Sequence, residues 1–218
     1  GAFDLVESHN EAWLRLEAFI NERLVIPGIT LREVDQLKKK SVMKRIFQES
    51  GLCVARGAVV STVQEATRLA GELGYPVILK PNEGVGAGGT HRLDAPDRLE
   101  AVFAELREDY LLEEFVEAPI VTYDGLTDLN GNVRFENSLV YGEGLIEYAQ
   151  GKDTFFYVSR RIPEPLRRVG QALVQRFDVR RKFFHFEFFE LDGDYMPIEI
   201  NCRPPGGAII DMMNYSIN

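Results

Sequence analysis

The segment from Phe183 to Arg203 constrains this chain most. Two runs, 183–191 and 195–203, flank Asp192-Gly193-Asp194. In the first, Phe184, Phe186 and Phe188 alternate with His185 and Glu187. In the second, Met196, Ile198, Ile200 and Cys202 alternate with Glu199, Asn201 and Arg203. A period of two marks a strand with one apolar face, so the segment predicts a hairpin. Directly opposed residues of an antiparallel pair share a face, so their numbers must sum to an even value for the apolar rows to coincide. A two-residue loop would set 191 against 194, an odd sum. A three-residue loop sets 191 against 195 and is the expected turn. That register brings Glu187 opposite Glu199 and His185 opposite Asn201, with the polar groups on one face.

Two opposed carboxylates repel by roughly 3 kcal/mol at about 5 Å and an effective dielectric near 20. Either one carboxyl holds a proton or a cation sits between them. Two carboxylates and the Asn201 amide oxygen form an all-oxygen donor set, which suits Mg²⁺ or Mn²⁺ shared with phosphate. The plainer alternative is an exposed hairpin face carrying solvated charges.

The rest of the composition narrows the classes. Apolar residues make up 45% of 218 and charged residues 27%, which excludes a disordered, collagen-like or coiled-coil chain. A net charge of -9 argues against nucleic acid or an anionic membrane as partner. No apolar run approaches the roughly 18 residues of a membrane span. Cys53 and Cys202 form neither a disulfide framework nor a metal-ligand pair, which suits a reducing cytoplasm. Gly1 in place of Met, and an end at Asn218 straight after an apolar helical pattern, read as a trimmed piece of a longer chain.

Trp13, Leu16, Phe19, Ile20 and Leu24 give one apolar stripe at helical spacing. Pro27-Gly28 ends that helix, and a second amphipathic helix is expected over 32–49. Ser61 or Thr62 caps a helix over 63–73. A strand over 75–80 ends in Lys80, followed by glycines 84, 86, 88 and 89, and a helix is expected over 95–107. Strands follow at 110–116, 120–126 and 133–141, the last two joined at Asn130-Gly131. A helix opens at Pro163-Glu164-Pro165 before the Phe183 hairpin, and a last helical pattern follows Pro204-Pro205-Gly206-Gly207. Adjacent antiparallel strands with helices between them indicate an α+β chain.

The glycine loop is not a dinucleotide fingerprint, because no helix opens at it, and not a P-loop, because Gly-Lys-Ser/Thr is absent. Glycines between strands suit a lid whose backbone N–H groups close over phosphates. Glu113 and Glu114 end an apolar strand that breaks at Ala118-Pro119. Such a strand end can meet an adenine edge, although solvent-facing glutamates are the commoner case.

In order along the chain, Lys40-Ser41-Val42-Met43-Lys44, Gly74 to Pro81 with its glycine loop, Leu112-Glu113-Glu114-Phe115-Val116, Phe186-Glu187 and Glu199-Ile200-Asn201-x-Arg203 resemble the motifs of the ATP-grasp superfamily. The resemblance covers about residues 38–214. It implies two α+β subdomains with antiparallel sheets sandwiching ATP, and a reaction that joins a carboxylate to an amine or thiol through an acyl phosphate, releasing ADP and phosphate. By position, Lys40 and Lys80 would contact phosphates, and Gly84, Gly86, Gly88 and Gly89 would belong to the lid. Glu113, with the backbone from Glu114 to Val116, would hold adenine, and Glu187, Glu199 and Asn201 would hold Mg²⁺ or Mn²⁺. Arg203 would face the γ-phosphate or the substrate carboxylate. Lys152, eleven residues before Pro163, would be a further phosphate contact. Ile120 stands where many members carry a ribose-gripping glutamate, so that contact is lost or comes from elsewhere, with Asp124 as a candidate. His185 stands where Arg is frequent and implies a pH-sensitive phosphate contact.

The resemblance divides the chain into remnant helices of an N-terminal domain (1–37), a small subdomain with the lid (38–116) and a large subdomain with the metal site (117–218). The Arg203-Pro204-Pro205-Gly206-Gly207 segment points to members that activate amino acids or small carboxylic acids. The expected enzyme is a cytoplasmic, ADP-forming carboxylate-amine ligase acting on small molecules, with room for a homodimer. A nucleotide-binding regulatory module without ligase activity and a bicarbonate-using carboxylase-like enzyme remain open.

Overall fold

The computed structural model describes residues 3–84, 88–105, 109–142, 155–207 and 209–216. In chain order these contain helices α1 (Leu14–Leu24), α2 (Leu31–Lys38) and α3 (Lys40–Glu49), strand β1 (Gly57–Val60), helix α4 (Val63–Leu73), and strands β2 (Val77–Pro81) and β3 (His91–Leu93). Helix α5 (Leu99–Glu105) and strands β4 (Tyr110–Glu114), β5 (Ile120–Thr127), β6 (Val133–Asn137), β7 (Leu139–Tyr141) and β8 (Phe156–Val158) follow. Helix α6 (Glu164–Arg176), strands β9 (Phe183–Leu191) and β10 (Asp194–Asn201), and helix α7 (Ile209–Ser216) complete them.

The strands form two antiparallel sheets. One has the order β1-β4-β2-β3; the other has β10-β9-β5-β7-β8, with β6 paired to β5. The first sheet buries Val77, Leu79 and Leu112 against Ala66 and Ala70 of α4 and Leu99 of α5. The second buries Phe184, Phe186, Phe188 and Ile200 with Met43, Ile46 and Phe47 of α3 and Leu173 and Val174 of α6. The even-numbered row of β9 thus faces the core, as its alternation predicts. Thr62 caps α4 in a reciprocal box with Glu65, also as expected.

Three local expectations need correction. The helix over 32–49 is two helices, broken at Lys39, whose backbone is extended (φ -88°, ψ 113°). Asn82 holds the new helix start: Lys40 N donates to Asn82 O and Ser41 N to Asn82 Oδ1, both at 2.9 Å. The strand over 133–141 divides into β6 and β7. The apolar stripe of α1 faces outward, with Trp13 58% and Phe19 54% exposed. The buried stripe is Leu14, Glu17, Ala18 and Asn21. Charge pairing dictates that choice: Lys182, buried just before β9, donates to both Glu17 carboxylate oxygens at 2.8 and 3.0 Å.

The hairpin reaches its expected register by an unexpected route. Glu199 pairs with Glu187 and Asn201 with His185. The turn, however, has two residues, Asp192 (φ 48°) and Gly193 (φ 92°), and sets Asp194 against Leu191. A β-bulge between Pro197 and Glu199 inserts Ile198 and restores the even sum. Proline lacks the N–H that a regular ladder needs, so the irregularity falls where the ladder is weakest.

Candidate active site

A cleft of about 580 Å³ lies between the two sheets. Lys40 and Lys44 of α3, Lys80 of β2, and Leu111 and Glu113 of β4 line one side. Tyr141, Glu187, Phe189, Ile198 and Glu199 from the second sheet line the other. Residues 114–120, which connect the sheets, also line the cleft.

The polar row of the hairpin is buried, which rules out the solvated-face alternative. His185 is 4%, Glu187 8%, Glu199 6% and Asn201 1% exposed. Each carboxylate has taken a cationic partner. Lys40 Nζ lies 2.8 Å from Glu199 Oε1, and His185 Nε2 lies 3.1 Å from Glu187 Oε1. Burial works against the Lys40 charge, yet Glu199 offsets it and holds the amine above its usual range. The same balance, with His185 as main partner, holds the Glu187 carboxyl below its usual range.

On the first sheet, Glu113 sits between two lysines. Lys80 Nζ lies 2.6 Å from its Oε2, and Lys44 Nζ contacts its Oε1. These lysines outweigh burial and keep the Glu113 carboxyl depressed, whereas burial dominates at Lys44 and lowers its amine. Glu113 is therefore a lysine anchor here, and its carboxylate is not free for an adenine edge. Lys44 belongs to the quoted 40–44 motif without an assigned role, because a partner 69 positions away leaves no mark in sequence. Glu114 accepts from Arg56 N and Nε at 2.7 and 2.6 Å, and its own N–H goes to Arg56 O. Val116 lines the cleft just beyond, and Arg92 stacks on Phe115 at 4.2 Å.

Two expectations change. Asp124 cannot reach a ribose: it is fully buried, its Oδ1 is 2.6 Å from His185 Nδ1 and its Oδ2 accepts from Thr122 Oγ1 at 2.5 Å. With carboxylates on both ring nitrogens, His185 offers no nitrogen to a phosphate. Burial alone would lower its pKa, but Asp124 and Glu187 push it up to about 10. The two carboxylates favour the charged ring, and both of its nitrogens are taken up within the protein, so the expected phosphate contact is not formed.

Arg203 lies beside Glu199 and Asn201, outside the residues that line the cleft. Its NH2 donates to Asn201 Oδ1 at 3.4 Å, NH1 donates to Pro204 O at 3.0 Å, and Nε sits 3.7 Å from Glu11 Oε2. Glu11, from a short 3₁₀ turn before α1, is 1% exposed and had no signal in the sequence. Neither of its carboxylate oxygens accepts a hydrogen bond, and burial, then Glu199, raise its pKa to about 7. Gly84, Gly88 and Gly89 are described, and Gly84 O lies 3.5 Å from Lys40 Nζ. Gly86 and Lys152 lie outside the described residues.

The donor set fits a divalent cation. Two buried carboxylates face each other in register, Glu199 Oε1 lacks an aligned hydrogen bond, and all candidate ligand atoms are hard oxygens. Among the described residues no group of three His, Cys, Asp or Glu side chains is placed to hold a metal ion by itself. The remainder of a Mg²⁺ shell would therefore fall to Asn201, water and phosphate oxygens.

A family model described as an ATP-grasp domain matches residues 73–211. The chain belongs to the ATP-grasp family. An L-arginine-specific L-amino acid ligase from Bacillus subtilis is 24% identical over 230 residues, covering 100% of this chain and 55% of that enzyme. The crystal structure of an L-amino acid ligase from Bacillus licheniformis superposes with a TM-score of 0.76 at 22% identity, covering 95% of this chain and 50% of that one. The biotin carboxylase domain dimer of Hydrogenobacter thermophilus 2-oxoglutarate carboxylase, in complex with MgADP, ADP and bicarbonate, superposes at 0.68 with 22% identity, covering 94% and 50%. The chain thus spans about half the length of these relatives.

Proposed function

We propose that this chain carries the nucleotide and metal site of an ADP-forming ligase, which joins a small carboxylic acid or amino acid to an amine or thiol through an acyl phosphate. The observation that carries the reading is the buried Glu187–Glu199 pair, set across a cleft from Lys44 and Lys80, with Lys40 in contact with Glu199. Lys40 and Lys80 take the phosphate chain, with Lys44 beside them. The loop through Gly84, Gly86, Gly88 and Gly89 covers it, and Lys152 adds a contact. The backbone around Val116 meets adenine. Glu117 also lines the cleft and forms no ion pair among the described residues, so it supplies the ribose contact that Ile120 cannot. Glu187, Glu199 and Asn201 hold Mg²⁺, which neutralises phosphate charge as a Lewis acid. Arg203 reads a planar carboxylate or phosphate through paired hydrogen bonds.

Because the substrate carboxylate is itself the nucleophile, the chain need supply none. Its contribution is alignment and fixed positive charge where negative charge builds. Lys40, Lys44 and Lys80 are already paired with carboxylates, so phosphate arrival exchanges one anion for another. Residues 38–116 and 117–218 serve as the two subdomains that close on nucleotide, with 1–37 leading in from another domain. Two free cysteines suit a reducing cytoplasm, no helix among the described residues is long and apolar enough to cross a membrane, and a homodimer is compatible with this reading.

The test is ADP release by the full-length protein over paired panels of carboxylic acids and amines. Release should require both. Glu199→Gln should lower it by about 10²-fold or more with the melting temperature held within a few degrees. Release that needs neither partner would mark a regulatory module, and release driven by bicarbonate would mark a carboxylase-like enzyme.

A further inference from the structure

Resting on the reading of Glu187 as a metal carboxylate, we propose that Thr122 and Asp124 are positioning residues that act through His185 to aim Glu187 at the cation. The four side chains form a compact block on neighbouring strands: Thr122 of β5 is in register with Glu187 of β9, and Asp124 with His185. Leu139 N donates to Thr122 Oγ1 at 2.9 Å, which orients that hydroxyl, and Thr122 Oγ1 donates to Asp124 Oδ2 at 2.5 Å. Asp124 Oδ1 meets His185 Nδ1 at 2.6 Å, and His185 Nε2 meets Glu187 Oε1 at 3.1 Å. All four residues are buried, so water does not compete for these bonds.

This arrangement does two things. Holding Glu187 Oε1 from behind fixes the carboxylate plane and leaves Oε2 for the cleft that Glu187 lines. It also sets the charge. An imidazolium beside Glu187 alone would cancel the negative charge a cation needs. Asp124 on the far nitrogen supplies a second carboxylate, so the three side chains stay net negative whichever form the ring takes. Groups behind a metal ligand commonly alter affinity by 10–100-fold without touching the metal.

The experiment is Mn²⁺ titration of the full-length protein with ADP present, followed by the loss of the free-ion electron paramagnetic resonance signal. Asp124→Asn should weaken Mn²⁺ binding by about 10–100-fold. ADP affinity measured in a chelator should not change. Asp124→Asn added to Glu187→Gln should weaken Mn²⁺ no further than Glu187→Gln alone, because the residue acts through that carboxylate. Wild-type Mn²⁺ affinity in Asp124→Asn, or a fully additive double variant, overturns the proposal. If Glu187→Gln itself binds Mn²⁺ normally, the metal reading of Glu187 fails and the proposal falls with it. Should Asp124→Asn not fold by circular dichroism, Thr122→Val decides by the same titration, with weaker binding expected and unchanged binding overturning the proposal.

Discussion

Two buried lysine–carboxylate pairs, Glu17–Lys182 at α1 and Glu199–Lys40 at the hairpin, look alike by burial and differ in completeness. Glu17 Oε2 accepts from Ser8 N and Ser8 Oγ at 2.7 Å, and Lys182 reaches both carboxylate oxygens. Nothing is left over. Glu199 borders an open cleft, its Oε1 makes no aligned hydrogen bond, and the neighbouring Asn201 Nδ2 and Arg203 Nε lack hydrogen-bond partners as well. A saturated pair holds structure in place. A pair with spare bonding capacity beside a cavity is a charge waiting to be exchanged.

The contrast can be broken first at α1. Glu17→Ala strands the Lys182 ammonium in the interior and should cost about 3–5 kcal/mol in urea unfolding. A smaller loss than Glu199→Gln would show that both pairs are structural. Glu11 sharpens the comparison from between the two regions. Burial, then Glu199, raise its folded pKa to about 7 from the ordinary glutamate value of 4.5, so the fold binds its proton more tightly than the unfolded chain does. The penalty is absent below about pH 4.5, grows through pH 7 and is complete above it. Thermal melts should therefore show wild type losing about 3 kcal/mol relative to Glu11→Gln between pH 5 and pH 8. A constant difference would mean that Arg203 already neutralises Glu11. The smallest effect belongs to the outward stripe. Phe19→Ser should leave unfolding free energy within about 0.5 kcal/mol, despite sitting on the same helix as Glu17.

Strand alternation was the most legible signal. It gave the hairpin, the core-facing row of Phe184, Phe186 and Phe188, and the opposition of Glu187 to Glu199, because a period of two leaves little freedom once one face is apolar. What the sequence hid were choices made by distant partners. The face of α1 that carries Glu17 turns inward because Lys182, some 165 positions away, is buried there. The break at Lys39 has no glycine or proline to announce it; Asn82, far along the chain, supplies the cap. Glu113 reads as an adenine contact until Lys44 and Lys80 are seen on either side of it. His185 reads as a titrating contact until Asp124 is found behind it. Pro197 was a visible sign that the ladder would falter, and counting residues alone passed over it.

That extra residue in β10 separates two demands that would otherwise be locked together. The hairpin tip and the acidic pair are each phased correctly, and Ile198 takes up the mismatch between them. Drawing Asp194 into a three-residue tip would make the bulge unnecessary at the same chain length, and removing Ile198 would let the ladder run straight from the present tip. Either edit leaves Glu199 opposite Glu187. The number of residues between these glutamates is thus free to drift by one while their juxtaposition in space stays put.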